Sequence, residues 1–188
     1  MKFNLHDTIA AISTPLGGAI SIIRISGSDA LGILSKIFKT LGKKPFNFES
    51  HRIYYGWIYE TQAQTEMKID EVLATVMLAP KTFTRQDVVE INCHGSVIAA
   101  RKILSLILSH GARHANPGEF SARAYLNGRI DLSQAEAIMD LINAKSQSFY
   151  KAGLNQLEGH LGDLIRKLCD TLLTLLARIE MAIDYPEY

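Results

Sequence analysis

"DVVEINCHGS" (residues 87–96) decides how the first half of this chain is read. Val88, Val89 and Ile91 are apolar and mostly β-branched, which is the composition of a core strand. Glu90 sits among them, and His94, Gly95 and Ser96 close the stretch. A carboxylate on a buried strand is costly unless it is paired or hydrogen-bonded. Glu90 therefore either faces solvent or accepts from a ligand with adjacent N–H donors. A pterin or a guanine offers a ring N–H beside an exocyclic amine, and one carboxylate can accept both in a fork. Arg24 poses the same question, since it interrupts the apolar strand "ISIIRIS" (20–26). Arg24 and Glu90 on neighbouring strands either neutralise each other or share a polar pocket. The turn His94–Gly95–Ser96 either offers backbone N–H groups to an anion or is ordinary turn chemistry with Ser96 as N-cap.

Working outward, "TIAAIST" (8–14) reads as a strand ending at Pro15, and "LGGA" (16–19) as a turn. Residues 28–44 carry Leu31, Leu34, Ile37, Phe38 and Leu41 at helical spacing, with Ser28 as N-cap and Gly42 as stop. "HRIYYGWIYE" (51–60) and "DEVLATVMLAP" (70–80) read as strands, with 61–68 a turn or loop between them. "VIAARKILSLILSHG" (97–111) reads as an apolar helix closed by Gly111. Near "ANPGEF" (115–120) strand signals stop and helices take over. A short helix is expected over 119–126, then a turn at Asn127–Gly128, then a helix opened by a Ser133/Glu136 capping box. From Ser146 to about Ile183 runs one long helical pattern with a wide apolar stripe, which needs partner helices. The fold expected is α+β: a mixed β-sheet with flanking helices over 1–117, then a partial all-α segment over 118–188.

The bulk numbers bound the function. The chain has 188 residues, 47% hydrophobic and 21% charged, with a net charge of +1. A packed core follows, and any nucleic-acid contact needs a local basic patch. Cys93 and Cys169 are far apart in sequence and read as reduced thiols. No signal peptide or membrane span is evident, which points to the cytoplasm. No GxxxxGK[ST] is present, so there is no P-loop; no GxSxG elbow supports a hydrolase triad, and no clustered Cys/His spacing supports a metal site.

Several stretches together resemble a known family. "DTIAAISTP" (7–15), "IIRISG" (22–27), "APKTFTRQDVVEINCHGS" (79–96), "PGEFSARAYLNGRIDLSQAEAI" (117–138) and "AIDYPE" (182–187) are similar, in order, to the N-terminal region of the MnmE (TrmE) family of tRNA-modification GTPases. The resemblance implies a tetrahydrofolate-binding and dimerising domain similar to that of aminomethyltransferases, followed by the first part of a helical domain. It implies that a GTPase domain, with its GTP, magnesium and potassium, and a C-terminal Cys motif lie outside these 188 residues. The family acts with the flavoprotein MnmG on C5 of the wobble uridine of tRNA, with a 5-formyl- or methylene-tetrahydrofolate as one-carbon donor. Carried over by motif, the folate contacts fall on Arg24, Glu90 and Arg129. Many relatives have Lys at the last position, and Arg replaces a point ammonium with a planar fork. Where many relatives read TPPGRGGVGIIR, this chain reads "TPLGGAISIIR" (14–24), one residue shorter and without that Arg. The resemblance therefore implies a binding module without catalytic residues of its own. The alternatives are an assembly module that has lost folate binding and a standalone aminomethyltransferase-like enzyme, against which the length argues.

Overall fold

A computed structural model describes residues 5–40, 47–62 and 65–185. Contacts divide the chain into two units, Met1–Arg129 and Ile130–Tyr188. The first unit holds β1 (Ile9–Ile12), β2 (Ile20–Ser26), α1 (Ala30–Ile37), β3 (Phe38–Thr40), β4 (Arg52–Gln62), β5 (Thr65–Met77), β6 (Val88–His94), α2 (Val97–Ser109), β7 (Arg113–His114) and α3 (Glu119–Leu126). The strands form one seven-stranded sheet in the order β3-β4-β5-β6-β2-β1-β7. All pairings are antiparallel except β1 with β7, so the sheet is mixed, as the α+β reading requires.

Side chains alternate across a strand, and the alternation here separates two faces. Ile23 and Ile25 on β2, Val89, Ile91 and Cys93 on β6, and Val72, Ala74 and Val76 on β5 are all buried. They join Ile33, Leu34 and Ile37 of α1 and Ala100, Ile103 and Ile107 of α2 in one core. Each large aliphatic side chain sealed there contributes roughly 1.5–3 kcal/mol. The opposite face carries Arg24, Glu90, Asn92 and Thr75, which the strand register sets side by side. The same face leaves Ile20, Ile53, Tyr55 and Leu73 exposed, at 61%, 65%, 47% and 43% of their full area.

Three local expectations in the first unit need correction. The first helix stops at Ile37, because Phe38 is buried and Phe38–Thr40 pairs with β4 as an edge strand. Its N-cap is Asp29 rather than Ser28, and the Asp29 N–H donates to Thr8 Oγ1 at 3.0 Å. The expected stop at Gly42 lies outside the described residues. Residues 61–68 are mostly strand, since β4 and β5 pair as far as Gln62 with Thr65.

In the second unit the expected helix forms as α4 (Leu132–Asn143), while α5 (Gln147–Leu157) and α6 (His160–Asp184) replace the single long pattern after Ser146. The break falls at Gly159, whose φ of 86° is left-handed and ends α5. The capping box on α4 is Asp131 with Gln134, not Ser133 with Glu136: Asp131 Oδ1 accepts from Gln134 N at 2.8 Å and Gln134 Oε1 from Asp131 N at 2.9 Å. α4 and α5 are tied by Gln134 Nε2 donating to Leu157 O and Gln156 Nε2 donating to Ser133 O. α6 buries no residue, and its Leu164, Leu168, Leu172 and Leu176 are more than half exposed.

The change of character near residue 117 falls one helix before the division between the units. α3 belongs with the sheet because Glu119 and Arg123 are completely buried. Arg123 Nη2 contacts Asp7 Oδ1 and, at 3.3 Å, Glu119 Oε1; its Nη1 donates to Asp7 O at 2.7 Å and to Gln86 Oε1 at 3.1 Å. Arg113 donates to Asp7 Oδ2 at 2.7 Å and to both Glu119 oxygens, at 2.5 and 3.1 Å. Burial alone would raise both carboxyls. The hydrogen bonds and charge of Arg113 and Arg123 outweigh it for Asp7, as those of Arg113, Asn116 N–H and Arg123 do for Glu119, and hold both below the usual range.

A carboxyl with a lowered folded-state pKa stabilises the fold above its unfolded pKa, and that stabilisation is lost as pH falls through the lowered value. Thermal unfolding followed by circular dichroism should therefore show a plateau at neutral pH and a fall in Tm beginning below the usual carboxylate range near pH 4. Glu119→Ala takes the fully buried carboxylate from beside Arg123 and a bidentate partner from Arg113. Urea denaturation should show it destabilised by about 3–5 kcal/mol at pH 7, with the acid-dependent loss reduced.

Candidate functional site

Arg24 and Glu90 are paired directly across β2 and β6. Arg24 Nε donates to Glu90 Oε1 at 2.8 Å, and its Nη2 lies 2.6 Å from the same oxygen. The side chains are 29% and 23% exposed, so the pair is shielded but reachable. Glu90 Oε2 accepts no hydrogen bond among the described residues. The Arg24 guanidinium lies 5.9 Å from the ring centre of Phe83 and 5.6 Å from that of Phe120. Such cation–π contacts contribute about 0.5–2 kcal/mol each, the more so when desolvated. They hold the cation in place while its ion pair occupies only half of the carboxylate. The arrangement neutralises the charge and leaves one acceptor oxygen for a donor from outside.

Two segments bring those rings to Arg24. The first is the loop between β5 and β6, where Thr82 Oγ1 donates to Gln86 O at 2.6 Å and Thr84 Oγ1 meets Ser26 Oγ at 2.7 Å. The second is α3, which starts after Gly118 in a left-handed conformation and carries Phe120 one residue beyond the buried Glu119. A reciprocal latch joins the two: Asn127 Nδ2 donates to Thr84 O at 2.6 Å, and Arg85 Nη1 donates to Asn127 O at 3.2 Å. Arg129 follows this latch. Its N–H closes the turn onto Ala124 O at 2.8 Å, and its side chain is exposed. Among the residues anticipated for the site, the structure brings Arg24 and Glu90 into contact; Arg129 makes no hydrogen bond or ion pair to either.

The His94–Gly95–Ser96 turn resolves toward turn chemistry. His94 N donates to Asp70 Oδ2 at 2.8 Å, and Gly95 N donates to Ala19 O at 2.9 Å. Ser96 caps α2 by accepting from Ala99 N at 3.4 Å. The His94 and Gly95 N–H groups are thus committed within the chain. Beside this turn, on the open sheet face, lies a cleft of about 270 Å³ lined in part by Ile20, Tyr55, Leu73 and Asn92. Glu71 accepts from Tyr55 Oη, and that hydrogen bond pushes the phenol pKa up.

Phe83, Phe120 and Asp70 were missing from the sequence reading of the site. Phe83 and Phe120 stand beside candidate polar residues only in space. Nothing in "KTFTRQ" or "PGEF" announces which side chain each ring covers. Both cysteines are free; Cys93 is buried, and burial pushes its thiol up to about 11. Among the described residues no group of three or more His, Cys, Asp or Glu could hold a metal ion, and no helix is long and apolar enough to cross a membrane.

A family model described as the GTP-binding protein TrmE N-terminus matches residues 8–129, and one described as the MnmE helical domain matches residues 132–188. The chain belongs to the MnmE (TrmE) family. It is 60% identical over 183 residues to the tRNA modification GTPase MnmE of Lactiplantibacillus plantarum, covering 97% of this chain and 39% of that protein. It is 56% identical to the MnmE of Ligilactobacillus salivarius and 54% identical to that of Bacillus licheniformis, again over 97% of this chain and 39% and 40% of theirs. The chain thus spans about two fifths of the length of the curated relatives it matches. The two MnmE-family matches meet where the two structural units meet.

In this MnmE-family chain the shortened glycine turn is braced by the strand-to-helix turn. A Cβ added at Gly95 would lie 1.7 Å from Gly18 O and 2.5 Å from Gly18 C, so backbone must move to admit one. Gly95→Ala should lower stability by about 1–3 kcal/mol in urea, a cost of overpacking against backbone. Gly32→Ala, in α1 with nothing within 4 Å of the added Cβ, should leave stability the same or higher.

Proposed function

We propose that this chain is the tetrahydrofolate-binding and dimerising region of a tRNA-modification GTPase. The observation that carries the reading is the Arg24–Glu90 pair, whose contacts converge on Oε1 and leave Oε2 without a partner among the described residues. A reduced pterin presents a ring N–H and an exocyclic amine, which suit such an acceptor. The residues present therefore fit the cofactor. Glu90 would accept from the pterin edge, Arg24 would hold Glu90 oriented, and Arg129 would meet an anionic part of the ligand. Bound folate would supply the one-carbon unit destined for C5 of the wobble uridine; the residues of this chain bind and orient it.

GTP hydrolysis, with its magnesium and potassium, belongs in this reading to a domain outside these 188 residues. The flavoprotein MnmG and tRNA are its partners, and the cytoplasm is its place of work. The relatives, tRNA modification GTPases MnmE, support the tRNA and GTPase parts. The exposed apolar side chains on the open sheet face, Ile20, Ile53, Tyr55 and Leu73, support a homodimer formed through this unit.

Titration calorimetry with 5-formyltetrahydrofolate tests the site. Wild type should bind stoichiometrically, and Glu90→Ala should lose about 2–4 kcal/mol, roughly a 30- to 900-fold rise in Kd. Absent heat with wild type, or an unchanged Kd in the variant, would overturn the folate reading and favour a pure assembly module. Sedimentation tests the dimer: Leu73→Asp should shift the weight-average mass toward the monomer while the circular dichroism spectrum is retained. An unchanged mass would remove the sheet face as the interface.

A further inference from the structure

Five arginines among the described residues have carboxylate partners: Arg24, Arg52, Arg113, Arg123 and Arg166. Arg85 and Arg129 have none among the described residues, and Arg85 reaches the turn that Arg129 follows. Arg85 Nη1 lies 3.2 Å from Asn127 O and 3.7 Å from where a Cβ on Gly128 would stand. Its guanidinium therefore lies over the turn, one residue from Arg129. Both arginines are exposed at this turn, and no carboxylate among the described residues pairs with either.

The placement of Arg85 is also built rather than incidental. Its φ is 58°, in the left-handed region that a long side chain rarely occupies. Thr84 O on one side of it is held by Asn127 Nδ2, and Phe83 beyond that covers Arg24. One short loop thus reaches both the ion pair at the sheet and the turn that bears Arg129. Only Nη1 of Arg85 is engaged, with a neutral carbonyl, which leaves Nη2 and Nε as charged donors.

We propose that Arg85 and Arg129, flanking Gly128, bind the carboxylates of the glutamyl tail of the folate. The proposal rests on the folate reading of Arg24 and Glu90. The chemistry of the ligand supports it: at neutral pH the carboxylates of the tail are the anionic groups of a reduced folate. An exposed pair of uncompensated cations beside the pterin contact has those groups to meet. Arg85 then determines specificity, favouring glutamylated folates over the bare pteroate, and more so as the tail lengthens.

The test compares 5-formyltetrahydrofolate, its triglutamate, and 5-formyltetrahydropteroate, which lacks the tail, as ligands of the 188-residue chain. Arg85→Ala should weaken binding of 5-formyltetrahydrofolate about 3- to 10-fold and leave 5-formyltetrahydropteroate unchanged. Arg129→Ala should show the same selectivity, and the triglutamate should lose the most in both. Arg85→Gly, which removes the backbone strain together with the charge, should behave like Arg85→Ala; Arg85→Lys should recover part of the loss. The wild-type preference for the tailed ligands should shrink as salt is raised. Equal weakening of tailed and tail-less ligands by both Arg85→Ala and Arg85→Gly, or no weakening of either, would overturn the proposal while leaving the folate site standing. If wild type binds none of the three, both the site and this proposal fall together.

Discussion

The fold of the first unit turns on one charge cluster, Asp7–Arg113–Glu119–Arg123, in which Glu119 and Arg123 are fully buried. Its members come from the entry to β1 and, more than a hundred residues later, from the neighbouring β7 and α3, with no backbone ladder among them beyond the short β1–β7 pairing. A buried guanidinium is tolerated only with full compensation, so these segments must arrive together or not at all. Gln86 extends the cluster to the loop before β6 through Arg123 and through its own bond to Leu5 O. The specificity of that arrangement, more than its net energy, is what it contributes.

The candidate site inherits its geometry from this cluster. Glu119 anchors the start of α3, and the next residue, Phe120, covers one side of Arg24. Gln86 anchors the end of the loop in which Phe83 covers the other side. A rigid pair of aromatic walls is what allows Arg24 to hold a carboxylate by a single oxygen. Without them a flexible arginine would swing to the bidentate geometry that carboxylates favour, and both oxygens would be consumed.

Much of this was legible before any coordinates. The strands announced themselves by β-branched runs, and Arg24 and Glu90 stood out because a charged residue in such a run demands a reason. What stayed hidden depended on long-range contacts. Phe38 reads as helix by spacing and becomes strand because it is buried against β4. Gly159 divides a continuous apolar period by adopting a conformation that the period does not report. Asp7, Arg113 and Glu119 look like ordinary surface or turn residues until the fold brings their opposite charges together around the buried Arg123. Arg85 carries no pattern at all; only its backbone angle and its latch to Asn127 mark it.

The stripe along α6 has a consequence for how copies of this chain meet. Each molecule bears two separate adhesive regions, the bare sheet face in one unit and the leucine-rich helix in the other. If each mates with its own kind, the two contacts alternate from molecule to molecule, and a string grows with concentration. Covering the helix with further helices ends the string at two. A polypeptide that packs its own α6 would keep only the sheet face to offer a second copy.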